Sequence, residues 1–395
     1  MSIRVDVLVI GAGLVGAATA WHCARAGATV LVADAAHANA GASGQNAGSL
    51  HFQIERRFLE NGERLAEDAS RITALSRLAI DDWDGLEMAL DADLHVRREG
   101  GLMVAELPEE LALLETKVVR EQEAGLRTRL IDGDEARRIA PYLSPDIIAA
   151  AFLPDEGHAD PRAVTPAFLR AARMLGAEVA YDAPVQAIRK RQRFEVELSG
   201  ETVIADRIMI AAGAWSPRIA ALANLHLPLF PVGLTMNATE RVAPIVPHLV
   251  QHVGRRLSLK QTHAGNILIG GGWPSRLRLG ADGAFDPGLR PDPLPASRDG
   301  NFRAAIATVP AIADMNLLRS WTGVTAISAD QLPIVGEMQR MPGLFVAAGG
   351  SAFTLGPTFA RLAARQMLEW DRAEADEELA IIAPARFEHL NGFMG

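Results

Sequence analysis

The N-terminal segment alternates between apolar runs and a glycine-rich turn. Residues 5–10 form a nearly continuous apolar run, interrupted by Asp6, that leads directly into the turn. A helix-compatible stretch follows to Arg25, and a second apolar run over residues 29–33 ends in Asp34. Short apolar runs bounded by turn residues are typical of buried strands, so the pattern predicts a strand, a glycine turn, a helix and a second strand.

Further along the chain, buried strands that end in glycine recur. The pattern predicts a helical region over about 55–90, a strand at 100–105, a helix from Pro108 to about Gly125, a short helix capped by Asp132 and Glu135, a loop at 153–161, a helix from about Pro166 to Leu175, strands near 178–180, 185–189, 194–198, 202–205 and 207–212, a loop rich in Pro, Gly and Asp at 283–300, a strand at 344–348 and a last long helix from Gly356 and Pro357. Between them, residues 225–273 alternate in polarity and contain several prolines.

This distribution predicts an α/β fold with two domains. One nucleotide-binding sheet would be assembled from residues 1–50, 145–222 and 330–375, which contain the glycine-terminated strands. A second, α+β domain with a mixed or antiparallel sheet would be built from residues 51–144 and 223–329.

The spacing of the glycines assigns a task to each of them. In a G-x-G-x-x-G turn between strand and helix, Gly11 permits the tight turn, Gly13 lets a pyrophosphate approach the backbone, and Gly16 lets the helix pack on the strand. Asp34 follows about twenty residues later, where a carboxylate accepts hydrogen bonds from ribose hydroxyls. An ordinary α/β turn would need the glycines but not the acid, so we predict dinucleotide binding.

Composition excludes several other classes. The chain has 395 residues and a net charge of −9, which argues against nucleic-acid binding. The chain has one cysteine, Cys23, in the predicted first helix, so it cannot form an internal disulfide. The chain has no apolar stretch long enough to span a membrane, so we expect a cytoplasmic protein.

Together, these motifs and five further ones resemble a known family over nearly the whole chain. The further motifs are Ser-Gly-Gln-Asn-Ala-Gly at 43–48, Gly-His-Ala-Asp-Pro at 157–161, Ala-Ala-Gly-Ala-Trp-Ser at 211–216, Trp321-x-Gly323 followed by Asp330-x-x-Pro333, and residues 343–350 with Phe-Thr-Leu-Gly-Pro at 353–357. The set resembles the flavin-dependent D-amino-acid oxidase, glycine oxidase and sarcosine oxidase family. Within that family it is nearest to the flavoprotein (beta-type) subunits of bacterial opine, hydroxyproline and sarcosine dehydrogenases.

The resemblance implies a Rossmann-like domain of the glutathione-reductase type that binds FAD rather than NAD. It implies cofactor contacts from Gly11, Gly13, Gly16, Asp34, Ser43, Gly44, Asn46, Ala47, Gly48, Val185, Ala212, Gly213, Trp215, Gly350, Leu355, Gly356 and Pro357. We expect non-covalent FAD, because Cys23 is fixed in a packing helix, and attachment through a histidine stays open. A helix that begins at Pro357 would direct its N–H groups at the negative charge of a reduced flavin.

The reaction implied is oxidation of the C–N bond of an amino acid, imino acid or secondary amine. A hydride would pass to flavin N5, and the imine product would then be hydrolysed. The alternative is a flavoprotein electron-transfer subunit of a hetero-oligomeric dehydrogenase that is inactive alone. The electron acceptor (oxygen, a quinone or a partner subunit) stays open.

The catalytic residues are less clearly marked. Amino-acid oxidases of the family carry an arginine for the substrate carboxylate where this chain has Thr325, so Arg319 or Arg276 is a candidate replacement, unless each lies in a surface ion pair. His51 follows the glycine-rich loop and would face the flavin, and Trp321 would form a wall of the substrate pocket; a packing histidine and a core tryptophan are the competing interpretations.

Two further features concern electron transfer and metals. The monomeric sarcosine oxidases have a lysine, linked with oxygen reactivity, in the strand that matches residues 266–269, where this chain has Leu268. The resemblance therefore favours a dehydrogenase, and whether Lys260 reaches the site stays open. His248 and His252 are four residues apart without a glutamate between them, so no metal site is predicted.

Overall fold

A computed structural model of the protein describes residues 2–60, 63–281, 283, 285–286 and 288–394. The strands are β1 (Ser2–Ile10), β2 (Val30–Ala33), β3 (Ser49–Leu50), β4 (Gly101–Ala105), β5 (Arg129–Asp132), β6 (Ala149–Leu153), β7 (Gly157–His158), β8 (Glu178–Ala180), β9 (Val185–Lys190), β10 (Phe194–Leu198), β11 (Glu201–Ile210), β12 (Leu229–Arg241), β13 (Leu249–His252), β14 (Leu257–Gln261), β15 (Asn266–Gly270), β16 (Leu317–Ser328), β17 (Ile334–Glu337) and β18 (Leu344–Ala348). The α-helices are α1 (Leu14–Arg25), α2 (Ala42–Gln45), α3 (Arg56–Glu60), α4 (Glu63–Asp84), α5 (Leu86–Leu90), α6 (Pro108–Glu123), α7 (Gly133–Ile139), α8 (Pro161–Met174), α9 (Ser216–Ala221), α10 (Pro295–Thr308), α11 (Gly356–Met367), α12 (Arg372–Leu379) and α13 (Glu388–Met394).

The first sheet has the strand order β17-β18-β11-β1-β2-β8 and carries β10 and β9 as an antiparallel extension of β11. Strands β18, β11, β1, β2 and β8 are parallel to one another, whereas the edge strand β17 is antiparallel to β18. The strands β2 and β18 are buried along their whole length because helices cover the sheet, as their continuous apolar sequences require. The carboxyl ends of β1, β2 and β11 meet at one edge, where Ile10 pairs with both Ala33 and Ile210.

The second sheet has the order β16-β12-β15-β14-β13-β4-β6-β5. It is mixed, because β13 and β4 are parallel while the other pairs are antiparallel. The predicted fold class, a Rossmann-like α/β sheet with a second mixed sheet, is confirmed. The division of the chain into the two domains stays a prediction, and β6 lies in a segment assigned to the nucleotide-binding domain although it pairs in the second sheet.

Several predicted elements have different bounds in the structure. Strand β11 runs unbroken through Asp206, where the sequence predicts a break between two strands, because its backbone pairs with β1 on both sides of that residue; the Asp206 carboxylate lies 2.7 Å from the guanidinium of Arg193. Helix α8 begins at Pro161 rather than at Pro166, and α10 begins at Pro295 inside the predicted loop, since proline is well suited to the first turn of a helix. The predicted helical region at 55–90 consists of α3, α4 and α5, and residues 61–62 lie outside the described part.

Among the described residues, no helix combines the length and the apolar character that crossing a membrane would need.

Candidate functional site

The turn after β1 has room only for glycine at two positions. Gly11 has φ of 114°, and a Cβ there would lie 2.5 Å from the carbonyl oxygen of Ala211. A Cβ on Gly16 would lie 2.0 Å from the carbonyl oxygen of Gly11, so the absence of a side chain lets α1 pack directly on the turn. Helix α1 has Gly13 as its N-cap, and this glycine supplies no side-chain hydrogen bond to the first turn of the helix.

Polar side chains hold the backbone around this turn. Oδ2 of Asp34 accepts a hydrogen bond from the N–H of Ala12 at 2.6 Å, and Oδ1 accepts from the N–H of Ala36 at 2.8 Å. Oγ of Ser43 accepts from the N–H of Leu14 at 2.9 Å. The acid at the end of β2 and the serine of the glycine-rich loop therefore both stabilise the turn.

The glycine-rich loop is fixed against the segment 157–161. Gly48 has φ of 75°, and a Cβ there would lie 2.1 Å from the carbonyl oxygen of Ala159, so only glycine allows this approach. The side chain of Asn46 donates to the carbonyls of Ala42 and Ser43 and accepts from the N–H of Gly48 at 2.6 Å. This loop is thus an ordered element with its own internal hydrogen bonds.

The segment that leads into α11 lies beside the residues that directly follow the glycine-rich loop. Oγ1 of Thr354 accepts from the N–H of His51 at 3.1 Å and donates to the carbonyl of Ser49 at 3.2 Å. A Cβ on Gly356 would lie 3.3 Å from the side chain of Val15, so the start of α11 meets α1. The two ends of the chain therefore form one continuous surface.

The residues present fit a bound dinucleotide. Three buried polar atoms around the glycine-rich loop have no hydrogen-bond partner among the described residues: Oδ1 of Asn39, Oγ of Ser49 and Nδ1 of His51. Buried polar groups are normally satisfied, so such a cluster indicates a missing polar ligand. Gly11 and Gly16 allow the tight turn and the close packing of α1, and Gly13, whose Cβ would lie 3.0 Å from Oγ of Ser43, leaves backbone exposed at the start of α1, where a pyrophosphate would bind.

A cavity of about 410 Å³ lies between the glycine-rich loop and the second sheet. Its lining includes Gly44, Asn46 and Ala47 from the loop and Trp321 from β16. Its charged and titratable lining residues are Arg162, Arg290, Arg319, Lys260, His158, His263 and Asp160. The cavity therefore has a strong excess of cationic groups.

Burial determines the protonation of the deepest groups. Lys260 is 2% exposed, and burial lowers the pKa of its ammonium to about 7. Burial likewise lowers the pKa of His158 to about 3 and that of His51 to about 4, so both imidazoles are neutral at pH 7. Lys260 therefore provides a neutral amine inside the cavity near pH 7.

The structure brings some of the candidate catalytic residues together. Trp321 and Arg319 both line the cavity, the guanidinium of Arg319 lies 4.9 Å from the Trp321 ring centroid, and Nε1 of Trp321 donates to the carbonyl of Gln45 at 2.8 Å. His51 lies outside the lining, with Nε2 3.1 Å from Oγ of Ser258. Arg276 is exposed, pairs through its backbone with Asp292, and does not line the cavity.

The remaining predicted cofactor residues follow strands of the first sheet. Ala212, Gly213 and Trp215 come directly after β11, and a Cβ on Gly41 would lie 3.6 Å from the Trp215 ring. Val185 begins β9, two residues after Ala183, whose N–H donates to the carbonyl of Asp34 at 2.8 Å. Leu355 and Pro357 flank Gly356 at the buried start of α11, where Leu355 is an N-cap without a side-chain hydrogen bond. Gly350 lies against the guanidinium of Arg57.

The sequence analysis does not identify Arg162 or Arg290, and it leaves open whether Lys260 reaches the site. These residues come from α8, from the segment before α10 and from β14, so no local motif connects them. In the sequence, the family-like motif Gly-His-Ala-Asp-Pro at 157–161 is the feature that indicates this side of the cavity.

Comparisons with known proteins agree with this geometry. The family model described as "FAD dependent oxidoreductase" matches residues 6–366. The chain is 27% identical to a subunit of opine oxidase from Rhizobium meliloti over 98% of each chain, and 24% identical to glycine oxidase of Bacillus licheniformis over 88% of each chain. Among solved structures, L-proline dehydrogenase from P. horikoshii superimposes with a TM-score of 0.82 at 21% identity, over 93% of this chain and 94% of that one.

Proposed function

Because the chain belongs to the family of FAD-dependent oxidoreductases, we propose that it oxidises the C–N bond of a secondary amine or amino acid that carries two carboxylates. The cationic cavity beside the glycine-rich loop supports this proposal. Membership of this family confirms the predicted cofactor, which is FAD and not NAD.

The proposal of two carboxylates rests on the charge of the cavity lining. Of the three guanidinium groups, that of Arg162 is held by Asp160, with Nη2 2.8 Å from Oδ2. Among the described residues, neither Arg290 nor Arg319 takes part in an ion pair. A guanidinium binds a carboxylate through two parallel hydrogen bonds, so these two arginines have capacity for two carboxylates.

The similarity to the opine oxidase chain supports the same substrate class. Opines are amino acids whose nitrogen carries a second carboxyalkyl group, so they combine a secondary amine with two carboxylates. The chain also lacks the arginine that the resemblance predicts at Thr325, and Arg290 and Arg319 supply cations from other positions.

Each cavity residue has a distinct part in such a reaction. Arg290 and Arg319 would bind the carboxylates, and Trp321 would form the wall that fixes the plane of the substrate. Lys260, in its neutral form, would accept the proton that the substrate ammonium must lose before its nitrogen can become an imine. FAD, when bound, supplies the acceptor for the hydride from the carbon, and water then hydrolyses the imine to a carbonyl compound and an amine.

The test is anaerobic bleaching of the flavin in the FAD-loaded protein by a panel of opines, amino acids, imino acids and N-methyl amines. We expect opines to reduce the flavin with the lowest KM. Arg290→Ala and Arg319→Ala should each raise that KM about tenfold or more, since a hydrogen bond to a charged group contributes about 1.5–3 kcal/mol.

The control is Arg303→Ala, which removes an exposed guanidinium on α10 outside the cavity lining and should leave KM unchanged. Equal KM values for opines and for amines without carboxylates, or arginine variants that match the wild type, would contradict the proposed substrate class.

The similarity to one chain of a multi-chain oxidase favours a second candidate. In this candidate the chain carries FAD within a hetero-oligomeric dehydrogenase and is inactive alone. Assay of the isolated chain with an artificial electron acceptor distinguishes the two, because turnover without a partner excludes the second candidate.

A further inference from the structure

Three side chains with metal-binding atoms converge beside the cavity, and two of them, Asp160 and His263, line it. His95, Asp160 and His263 each offer one ligand atom, and the three atoms all lie within 4.8 Å of one another. They come from three separate segments: the connection after α5, the N-cap of α8 and the turn between β14 and β15. We propose that they form a binding site for a divalent transition-metal ion of the Zn²⁺ class.

The backbone around the three residues is tied together by hydrogen bonds. The N–H of Asp160 donates to the carbonyl of Leu94 at 2.9 Å, and Arg97 and His158 exchange two backbone hydrogen bonds of 2.8 Å. Nζ of Lys260 donates to the carbonyl of Ala159 at 3.3 Å, which links β14 to the same segment. The backbone positions of His95 and Asp160 are therefore set by the fold, and β14, which precedes His263, is attached to the same segment.

His95 has the environment of a metal-binding histidine. Its Nδ1 lies 3.1 Å from Oδ1 of Asp93, and that oxygen also accepts from the N–H of His95 at 2.8 Å. A carboxylate that holds one ring nitrogen fixes the tautomer and leaves the other nitrogen as an acceptor, as is usual for metal-bound histidines. His95 also has φ of 54°, an uncommon conformation for a residue other than glycine that such contacts must stabilise.

The second imidazole is already close to the first. The rings of His95 and His263 are stacked with centroids 3.7 Å apart and an angle of 22° between their planes. Tetrahedral zinc with ligands near 2.1 Å requires ligand atoms about 3.4 Å apart and lone pairs that converge on the ion, so the His263 ring must rotate out of the stack as well as move by about an ångström. His263 is exposed and can make that shift at low cost.

The ligand set and its charge select the class of ion. Imidazole nitrogen with a carboxylate suits zinc and its neighbours, whereas calcium and magnesium prefer oxygen ligands alone. Asp93 and Asp160 contribute two negative charges, of which Arg162 offsets one. Because Asp160 and His263 line the cavity, an open coordination position would face it and could take a water molecule or a carboxylate oxygen.

The test is isothermal titration of the FAD-loaded protein with Zn²⁺ in the absence of substrate. We expect one zinc ion per chain that is lost in the H95A/H263A double variant. His263→Ala alone alters only an exposed turn and should weaken binding at least tenfold, which keeps the test valid if the double variant does not fold. Asp93→Asn should weaken binding about 10- to 100-fold by removing the carboxylate behind His95.

Two further variants sharpen the result. His389→Ala removes an exposed histidine on α13 and should bind zinc as the wild type does. Arg162→Ala should tighten binding severalfold, because it frees the carboxylate of Asp160. Zinc binding that is equal in the wild type and in His263→Ala would overturn the proposal, and since no substrate is present this outcome leaves the proposed oxidation untouched.

Discussion

At the scale of single residues, Lys260 is a group whose chemistry depends strongly on its surroundings. It lines the cavity, its Nζ donates to the carbonyl of Ala159 at 3.3 Å, and burial lowers its pKa to about 7. Enzymes commonly tune a lysine into this range by desolvation so that it acts as a base near neutral pH.

The first prediction concerns the pH dependence of flavin reduction. Below pH 7 the ammonium of Lys260 cannot accept a proton, and above pH 7 the neutral amine can, so kcat/KM should rise with pH and level off through an inflection near 7. Lys260→Met should remove that inflection and lower kcat/KM by about 10²- to 10⁴-fold at pH 8. Anaerobic rates of flavin reduction between about pH 5.5 and about 9 measure both effects. The expected loss in kcat/KM equals the usual contribution of a general base.

Lys190→Met, which removes an exposed amine on β9, is the matched control and should keep the wild-type profile. An inflection near pH 7 that survives in Lys260→Met would assign the ionisation to another group and refute the role of Lys260.

The residue scale also shows what can be predicted about the site from the sequence. The glycines at 11, 13 and 16 and Asp34 are identifiable because their spacing follows from one strand–turn–helix unit. Arg290 and Lys260 are not, since they meet only after the second sheet has folded. Arg276 and Arg319 have equal standing in the sequence, and only the folded chain places Arg319 in the lining and Arg276 outside it.

At the scale of elements, apolar patterning predicts the strands that are buried on both faces. Strand β18 has the bounds expected from the sequence because a continuous apolar run is enclosed by glycines. Polarity misleads where tertiary contacts override it: Asp206 suggests a break, but the pairing of β11 with β1 on both sides of this residue keeps the strand continuous. Prolines at 161 and 295 suggest loops, whereas each occupies the first position of a helix.

Helix α6 contains an i,i+4 ion pair whose burial in the interior no sequence pattern predicts. Lys117 and Glu121 are both fully buried, with Nζ 2.8 Å from Oε1. Nζ of Lys117 also donates to Oε1 of Gln53 at 2.6 Å, and Oε1 of Glu121 accepts from the N–H of Ile54 at 2.6 Å. The pair therefore joins α6 to the segment that follows His51 and the glycine-rich loop.

The second prediction follows from this burial. Lys117→Met leaves the carboxylate of Glu121 buried without its cation, which should lower the free energy of unfolding by about 3–5 kcal/mol. The K117M/E121Q double variant should recover most of the loss, because it removes the uncompensated charge and keeps an acceptor for Ile54. Urea unfolding followed by circular dichroism measures both.

Glu115→Gln, at an exposed position of the same helix, is the control and should change stability by less than about 0.5 kcal/mol. The prediction is wrong if Lys117→Met costs less than about 1 kcal/mol, or if the double variant is as unstable as the single one.

At the scale of the whole molecule, the proposed cofactor site requires that an N-terminal and a C-terminal segment of the chain meet. Thr354 makes that connection: it is 3% exposed, accepts from the N–H of His51, and donates to the carbonyl of Ser49. Its own carbonyl accepts from Nε1 of Trp83 in α4 at 2.8 Å, which adds a third segment. The three orphaned polar atoms around the glycine-rich loop include two, on Ser49 and His51, that belong to residues held by Thr354.

The third prediction tests whether this junction preorganises the site. Thr354→Val keeps the shape of the side chain but leaves the N–H of His51 without its acceptor, a loss of about 1–3 kcal/mol. Because Ser49 and His51, the residues that are released, directly follow the loop expected to contact FAD, the dissociation constant of FAD should rise about tenfold. Titration of the apoprotein with FAD, followed by quenching of flavin fluorescence, measures this change.

Thr116→Val, which removes an exposed hydroxyl on α6, is the control and should bind FAD as the wild type does. Wild-type FAD affinity in Thr354→Val would show that the segment at residues 49–51 is held in place without this contact, and that the two ends of the chain do not depend on it to form the site.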